Sequence, residues 1–448
     1  MTQTLDALTA QLLDVAKTAG ADSADAIAVR GTSLSVDVRA GVLEEAQREE
    51  GTDIGLRVFV GQRSAIVSAS DTSSRTLSEM AERAVAMAGE APENPYAGLA
   101  DPEQLATDWD VEALELFDPT AEPDPAALQE DAAQAEAAAL AVEGISQVQS
   151  ASAGYGARQV HLAGSNGFSG GYRRTDRGLS CVAIAGTGAG MERDYDGDGR
   201  IFQTDMRSAI EIGRIAAERT LARINPRKPP TGTYPVLFDE RISSSLIGHL
   251  LGAINGSAIT RGASFLRDAM GEQVLPKGLS LIEDPHRPRI TGSRPFDGEF
   301  LPTSKRAVIE DGVLQSWTLD LGTGRQLGLP STGNAARGTS SGPSPNPWNM
   351  ALTQGEASRD DLIRDMGTGL LVTSMIGSTI NPNTGDYSRG AAGLWVENGE
   401  VTHAVNECTI AGNLRDMLLA IIPANDARTH LSRVVPSLLI PSMTIAGS

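Results

Sequence analysis

The segment Asn225-Pro226-Arg227-Lys228-Pro229-Pro230-Thr231-Gly232 constrains this chain more than any other stretch of it. Each proline fixes its own φ and withholds an amide donor, so neither a helix nor an interior strand can run through. The chain must fold on either side of a stiff connection. The expected organisation is an N-terminal domain over residues 1–224, a linker over 225–232 and a C-terminal domain over 233–448, which suits a length of 448 residues.

Before the linker, helical and strand periods alternate. Leu5, Leu8, Leu12 and Val15 mark an amphipathic helix that Gly20 stops; Leu34, Val36 and Val38, then Ile54, Leu56, Val58 and Val60, alternate as strands do. Gly61-Gln62-Arg63 turns the chain into a strand over 65–69, and Leu77, Met80, Ala84 and Met87 predict a second helix ending near Gly89. A Pro-rich acidic stretch precedes an Ala-rich helix over 126–142. Strands are expected around 146–152, 159–163 and 179–185, then a helix over 207–224 with Ile210, Ala217 and Leu221 inward. The order of paired strands followed by a helix thus occurs twice. After the linker, a strand over 234–238 feeds a helix over 243–254, and Gly, Pro and Asn then separate β-prone runs at 307–310, 369–376, 393–396 and 401–405. The expected class is α+β: an N-terminal α/β domain of strand pairs and helices, and a mainly antiparallel, barrel-like C-terminal β domain.

Charge and cysteines narrow the function. A net charge of -20 opposes a surface built to neutralise phosphates, so no direct nucleic-acid partner is expected. Between Arg83 and Arg158 there is no Lys or Arg, which predicts either a solvated acidic face or a dock for a basic partner. Residues 1–20 lack the basic and apolar regions of a signal peptide, and no run reaches the roughly 18 apolar residues of a membrane span. With only Cys181 and Cys408, far apart, a reducing cytoplasm fits better than a disulfide scaffold.

The chemistry-bearing motifs are incomplete. In Ser244-Ser245-Leu246-Ile247-Gly248-His249 a helix offers one imidazole, whereas zinc hydrolysis from a helix needs two, with a carboxylate to take the proton of bound water. Asp194-x-Asp196-x-Asp198-Gly199 mimics a calcium loop but lacks an entering helix, so a polar hairpin tip is expected there. Gly167–Gly171 and Gly338–Gly342 both fit G-x-S-x-G, yet neither is followed by the helix that a nucleophile elbow requires.

Ser331-Thr332-Gly333-Asn334-Ala335, Asn381-Pro382-x-Thr384-Gly385-Asp386-Tyr387-Ser388-Arg389-Gly390-Ala391-Ala392-Gly393, Thr409-Ile410-Ala411-Gly412-Asn413-Leu414 and Pro436-Ser437-Leu438-Leu439-Ile440 closely resemble the TldD/PmbA metalloprotease family, in its PmbA (TldE) branch, over essentially the whole chain. In TldD-type chains the helix carries H-E-x-x-x-H and a cysteine nearer the C-terminus completes a zinc site. Laid on this sequence, those helix positions are Ser244, Ser245 and His249, and Cys408 lies before the block beyond which the cysteine is expected. The resemblance implies no catalytic or metal residue in this chain, with zinc in a TldD-type partner subunit. It also implies a cytoplasmic location, unfolded or small peptide substrates such as peptide-antibiotic precursors and antitoxins, and a label as modulator of DNA gyrase that is indirect for so acidic a chain. A homodimer in isolation is compatible with it.

The role left for such a chain is to shape a chamber in which an extended peptide adds to a strand edge. Asn334, Asp386, Tyr387, Arg389, Asn413 and Arg415 are the candidate groove or assembly residues, within a polar glycine loop over 381–393 and around it. An Asp386–Arg389 salt bridge that merely pins the loop is the competing expectation. An autonomous peptidase with a degenerate metal site and a peptide-binding module without proteolytic role are the alternatives.

Overall fold

The structure, a computed structural model, describes residues 3–447, with Ser378 described by its backbone alone. The first half is an α-β-β-β-α unit formed twice. The first copy is α1 (Leu5–Thr18), β1 (Ser23–Arg39), β2 (Val42–Val60), β3 (Arg63–Ala69) and α2 (Ser74–Glu90). The second is α3 (Pro125–Leu140), β4 (Ile145–Gly164), β5 (Ser169–Ala185), β6 (Glu192–Arg200) and α4 (Ala209–Leu221). Two antiparallel meanders meet at β1 and β4 to give one sheet, β3-β2-β1-β4-β5-β6. Period-two alternation decides what each face meets. Ala24, Ala26, Ala28, Leu34, Val36 and Val38 of β1 face the helices, while Ile27 and Val29 face the other way, toward Phe296 and Phe300 of the second half.

The strands expected at 146–152 and 159–163 are one strand of 20 residues, β4, because Gly154 and Gly156 stay in the ladder, opposite Gly178 and Asp176, instead of turning. Ile210 is 60% exposed, since α4 buries the stripe Ile212, Ala216, Ala217 and Thr220. Gly213 on that stripe lets α4 approach α3 so closely that a Cβ would stand 2.0 Å from the Ala135 carbonyl oxygen. The acidic segment between α2 and α3 is a strap across both halves, with Asp101, Glu103, Asp108, Asp110, Glu112 and Glu115 exposed to solvent and its apolar residues turned inward. It buries Ala100, Ala106, Leu114 and Leu116, and Arg325 donates to its Tyr96, Gly98 and Leu99 carbonyls.

Past the prolines come β7 (Gly232–Phe238), α5 (Glu240–Ala253), α6 (Gly256–Thr260), β8 (Leu281–Glu283), β9 (Arg306–Glu310), β10 (Val313–Leu314) and α7 (Leu321–Leu327). There follow β11 (Ala335–Ala336), β12 (Ser344–Pro345), β13 (Met350–Leu352), α8 (Arg359–Met366), β14 (Gly369–Ile380), β15 (Asp386–Glu397) and β16 (Glu400–Asn413). The chain ends with α9 (Leu414–Leu419), β17 (Ile422–Pro423), β18 (Arg433–Val434) and β19 (Leu438–Ala446). The sheet β16-β15-β14-β7-β19-β17 closes on itself because β16 also pairs with β19 over Thr409–Ala411, giving a five-stranded barrel. Only β7 and β14 run parallel in it. The α+β class with a barrel-like, mainly antiparallel second half is therefore what the chain adopts. Closure removes the free edge that an open sheet would present.

The two faces of the barrel strands pack differently. Phe238, Val372, Tyr387, Trp395, Cys408 and Ile410 share a core with Leu246, Ile247, Leu250 and Leu251 of α5, whereas Leu237, Leu371, Val396 and Leu439 pack on Leu362, Ile363 and Met366 of α8. Asp239 caps α5, its carboxylate accepting from the Arg241 amide, so the helix starts at Glu240 and not at Ser243 as the sequence suggests.

Candidate functional site

α5 carries Ser245 and His249 one turn apart, on a partly buried stripe beside the apolar one. Ser245 Oγ and His249 Nε2 are both buried without a hydrogen-bond partner among the described residues. His249 stands beside Tyr387 of β15, ring centroids 5.9 Å apart and planes at 73°. Burial, then the charge of Arg389, holds the imidazole pKa below its ordinary value, so the ring is neutral near pH 7. Tyr387 is 2% exposed, donates to Met375 Sδ at 3.3 Å, and is pushed up to about 12 by burial.

The loop expected over 381–393 is a short turn, 381–385, followed by the strand β15. Asp386 and Arg389 therefore point to opposite faces of a strand and do not pair. Asp386 accepts from Thr384 Oγ1 at 2.6 Å and Asn413 Nδ2 at 3.3 Å, closing the turn, while Arg389 Nε donates to the Gly377 carbonyl at 2.8 Å across a bulged register. Asn413 caps α9, its side chain accepting from the Arg415 amide, and the Arg415 side chain is exposed. Asn334 belongs elsewhere. Fully buried, it donates to Glu283 at 2.7 Å and accepts from Arg306 at 3.2 Å, locking the small β10-β9-β8-β13-β18 sheet to the β11 segment. The structure thus brings Ser245, His249, Tyr387 and Arg389 together, and Asp386, Asn413 and Arg415 at the adjoining turn, but not Asn334.

Whether these residues suit a hydrolytic metal is settled by their donors. Serine hydroxyls and one neutral imidazole do not make a zinc site, and no group of three or more His, Cys, Asp or Glu able to hold a metal occurs among the described residues. Cys408 donates to the Ala391 carbonyl at 3.2 Å, and burial pushes its thiol up to about 11. The residues do not fit the metal.

The aspartate triplet and both G-x-S-x-G matches also resolve. Asp194, Asp196 and Asp198 lie along the strand β6, not at a hairpin tip, and are neutralised: Asp196 by Arg207 at 2.8 Å and Arg219 at 2.6 Å, Asp198 by Arg200 at 3.0 Å, and Asp194 by Arg241 of α5 at 3.0 Å. The Asp194–Arg241 pair ties the first sheet to the barrel half, which alternation in the sequence alone does not reveal. Ser169 opens β5 after a turn, and Ser340 lies in a loop between β11 and β12, neither on an elbow.

Profiles of the PmbA/TldA metallopeptidase family match over residues 24–88 (domain 1), 118–224 (central domain) and 231–447 (C-terminal domain). The chain is 38% identical over 430 residues to Metalloprotease PmbA of Escherichia coli O157:H7, covering 95% of this chain and 92% of that one. It superposes with TM-score 0.90 on the crystal structure of a Bacteroides thetaiotaomicron protein named as a modulator of DNA gyrase, at 27% identity and 98% coverage of each chain. TldE from Thermococcus kodakarensis shares the fold at TM-score 0.85 and 21% identity, over 98% of this chain and 100% of that one. With the barrel, the α5 helix and the matched sequence in agreement, the chain belongs to the PmbA/TldD metallopeptidase family.

Proposed function

We propose that this chain is the non-metallated subunit of a heteromeric metalloprotease, pairing with a TldD-type chain that carries the zinc. The observation that supports it most is a barrel and helix of the metallopeptidase kind in which Ser244 and Ser245 occupy the ligand and base positions and His249 alone survives. A protein that keeps such a frame without the chemistry retains a use for its shape. That use is to hold and close a chamber in which unfolded or small peptides are processed, with the Asp386, Asn413 and Arg415 turn and the Tyr387–Arg389 strand as candidate groove or assembly residues. The N-terminal (1–224) and C-terminal (233–448) units, joined by 225–232, are its proposed domains, and the cytoplasm its proposed location.

The test is co-purification and metal analysis. The chain alone should carry far less than one zinc, and mixed with a TldD-type chain of the same organism it should elute as one complex at micromolar concentration, as an interface of about 1,200 Å² or more allows. Separate elution, or stoichiometric zinc in this chain alone, defeats the proposal.

A further inference from the structure

On the sheet face turned away from the helices lies a cleft of about 300 Å³ between β1, β4 and β5 on one side and the 294–298, 335–338 and 346–348 segments on the other. Four guanidinium groups line it, Arg158, Arg174, Arg294 and Arg337, against one carboxylate, Asp297. In a chain of net charge -20 this is a local inversion of sign.

Two of the four are committed to other acids. Arg158 pairs with Asp176 at 3.0 Å, and Arg337 with Asp25. Arg174 and Arg294 have no carboxylate partner among the described residues. Both donate to the same acceptor, the Thr291 carbonyl, at 2.8 and 3.0 Å, which holds the two like charges side by side. Arg174 is 7% exposed and the Arg337 side chain 1% exposed, yet Arg174 Nε, Arg337 Nε and Arg337 Nη2 have no hydrogen-bond partner among the described residues. Burial, then the Arg294 charge, brings the Arg174 pKa down to about 10. Asp297 makes no ion pair with either arginine among the described residues; its two oxygens accept the amides of Glu299, Leu301 and Ala335.

Buried, unpaired guanidinium donors are costly unless an oxyanion completes them, and the fork of arginine fits a carboxylate. Apart from Asn346, the rest of the wall is mainly apolar and aromatic, with Ile27, Val29, Leu162, Tyr172, Phe296 and Trp348, and Arg294 lies 5.3 Å from the Trp348 ring centre. No lysine lines the cleft, and its small volume suits one or two residues of a peptide.

We propose that this cleft is a subsite for the terminal carboxylate of a peptide whose last residue is apolar or aromatic. Arg174 and Arg294 take the carboxylate, and Phe296 and Trp348 border the side chain. The subsite deepens the reading that this chain handles peptides and rests on it, but its test needs no partner subunit.

Calorimetric titration of the full chain in low-chloride buffer compares acetyl-Ala-Ala-Phe with a free carboxylate, the same peptide amidated, and inorganic phosphate. The free acid should bind at least tenfold more tightly than the amide and more tightly than phosphate. Arg294→Gln and Arg174→Met should each weaken it about tenfold or more. Should a variant unfold, the thermal shift of the unaltered protein by acid against amide decides the matter alone. Equal binding of acid and amide, no binding of either, or tighter binding of phosphate overturns the proposal. Loss of the heteromeric reading would appear in co-elution, an assay these arginines do not enter.

Discussion

His249 presents its ring to Tyr387 edge to face, centroids 5.9 Å apart, and the imidazole Nε2 so buried has no hydrogen-bond partner among the described residues. An edge-to-face pair is worth about 0.5–1.5 kcal/mol beyond its buried area, whereas a buried, unsatisfied ring nitrogen costs about 1–3 kcal/mol. Packing alone does not favour histidine at this position.

Replacing it with a ring of similar shape should therefore be harmless. His249→Phe keeps the contact with Tyr387 and removes the unpaired nitrogen, so the unfolding free energy read from chemical denaturation is expected to stay level or rise by up to about 1 kcal/mol. A loss of more than about 2 kcal/mol in metal-containing buffer, absent when a chelator is present, would mean that His249 holds an ion.

Stability should also fall with rising pH on account of Glu299. Burial pushes this carboxyl up to about 8; Arg57 opposes from 3.8 Å but is already engaged by Asp25 at 2.5 Å, and Asp297 and Asp320 add repulsion. Between the unfolded carboxyl value near 4.5 and about 8 the folded chain binds more protons than the unfolded one, so this group's contribution is full below that window and lost through it. Asp297, pushed up to about 6 by burial, acts in the same sense. The melting temperature of the native protein should drop more between pH 5.5 and 8.5 than that of Glu299→Gln. Parallel curves would show that Glu299 is ionised throughout.

A third expectation concerns the seam between the halves. A Cβ on Gly55 of β2 would lie 2.1 Å from the Thr339 carbonyl oxygen, backbone against backbone, so no side chain can yield to it. Gly55→Ala should lower the melting temperature by several degrees, as overpacking of about 1–3 kcal/mol implies, while Gly51→Ala in the same strand, with nothing within 4 Å, should change little. Equal effects would place the cost in strand propensity and not in the seam.

The barrel and the repeated order of strands and helices were legible because alternation and helical periods report burial directly, as at Leu34, Val36 and Val38. Gly154 and Gly156 misled because glycine in a ladder reads as a turn; the Cβ at Gly156 would stand 2.3 Å from Asp176 Oδ2, a constraint from the neighbouring strand. Asp386 and Arg389 looked like a pair at three residues' spacing, which holds on a helix but not on β15, where alternate residues face apart. The arginine cleft gave no local signal at all. Arg174 and Arg294 are 120 residues apart and meet only on the Thr291 carbonyl.

The last prediction separates scaffold from enzyme. In a reconstituted pair cleaving an unfolded peptide, His249→Ala in this chain should leave the limiting rate within about threefold, because no charge developing in the transition state faces this neutral ring. Removing the ligand histidines of the TldD-type partner should abolish turnover. Asp386→Ala releases Thr384 and the Asn413 amide and so loosens the turn beside the candidate groove; it should raise KM, or weaken assembly, more than it lowers kcat. Assembly is checked for each variant by gel filtration before the rate is read. An assembled His249→Ala pair whose limiting rate falls about a thousandfold, equivalent to about 4 kcal/mol at the transition state, would move the chemistry into this chain.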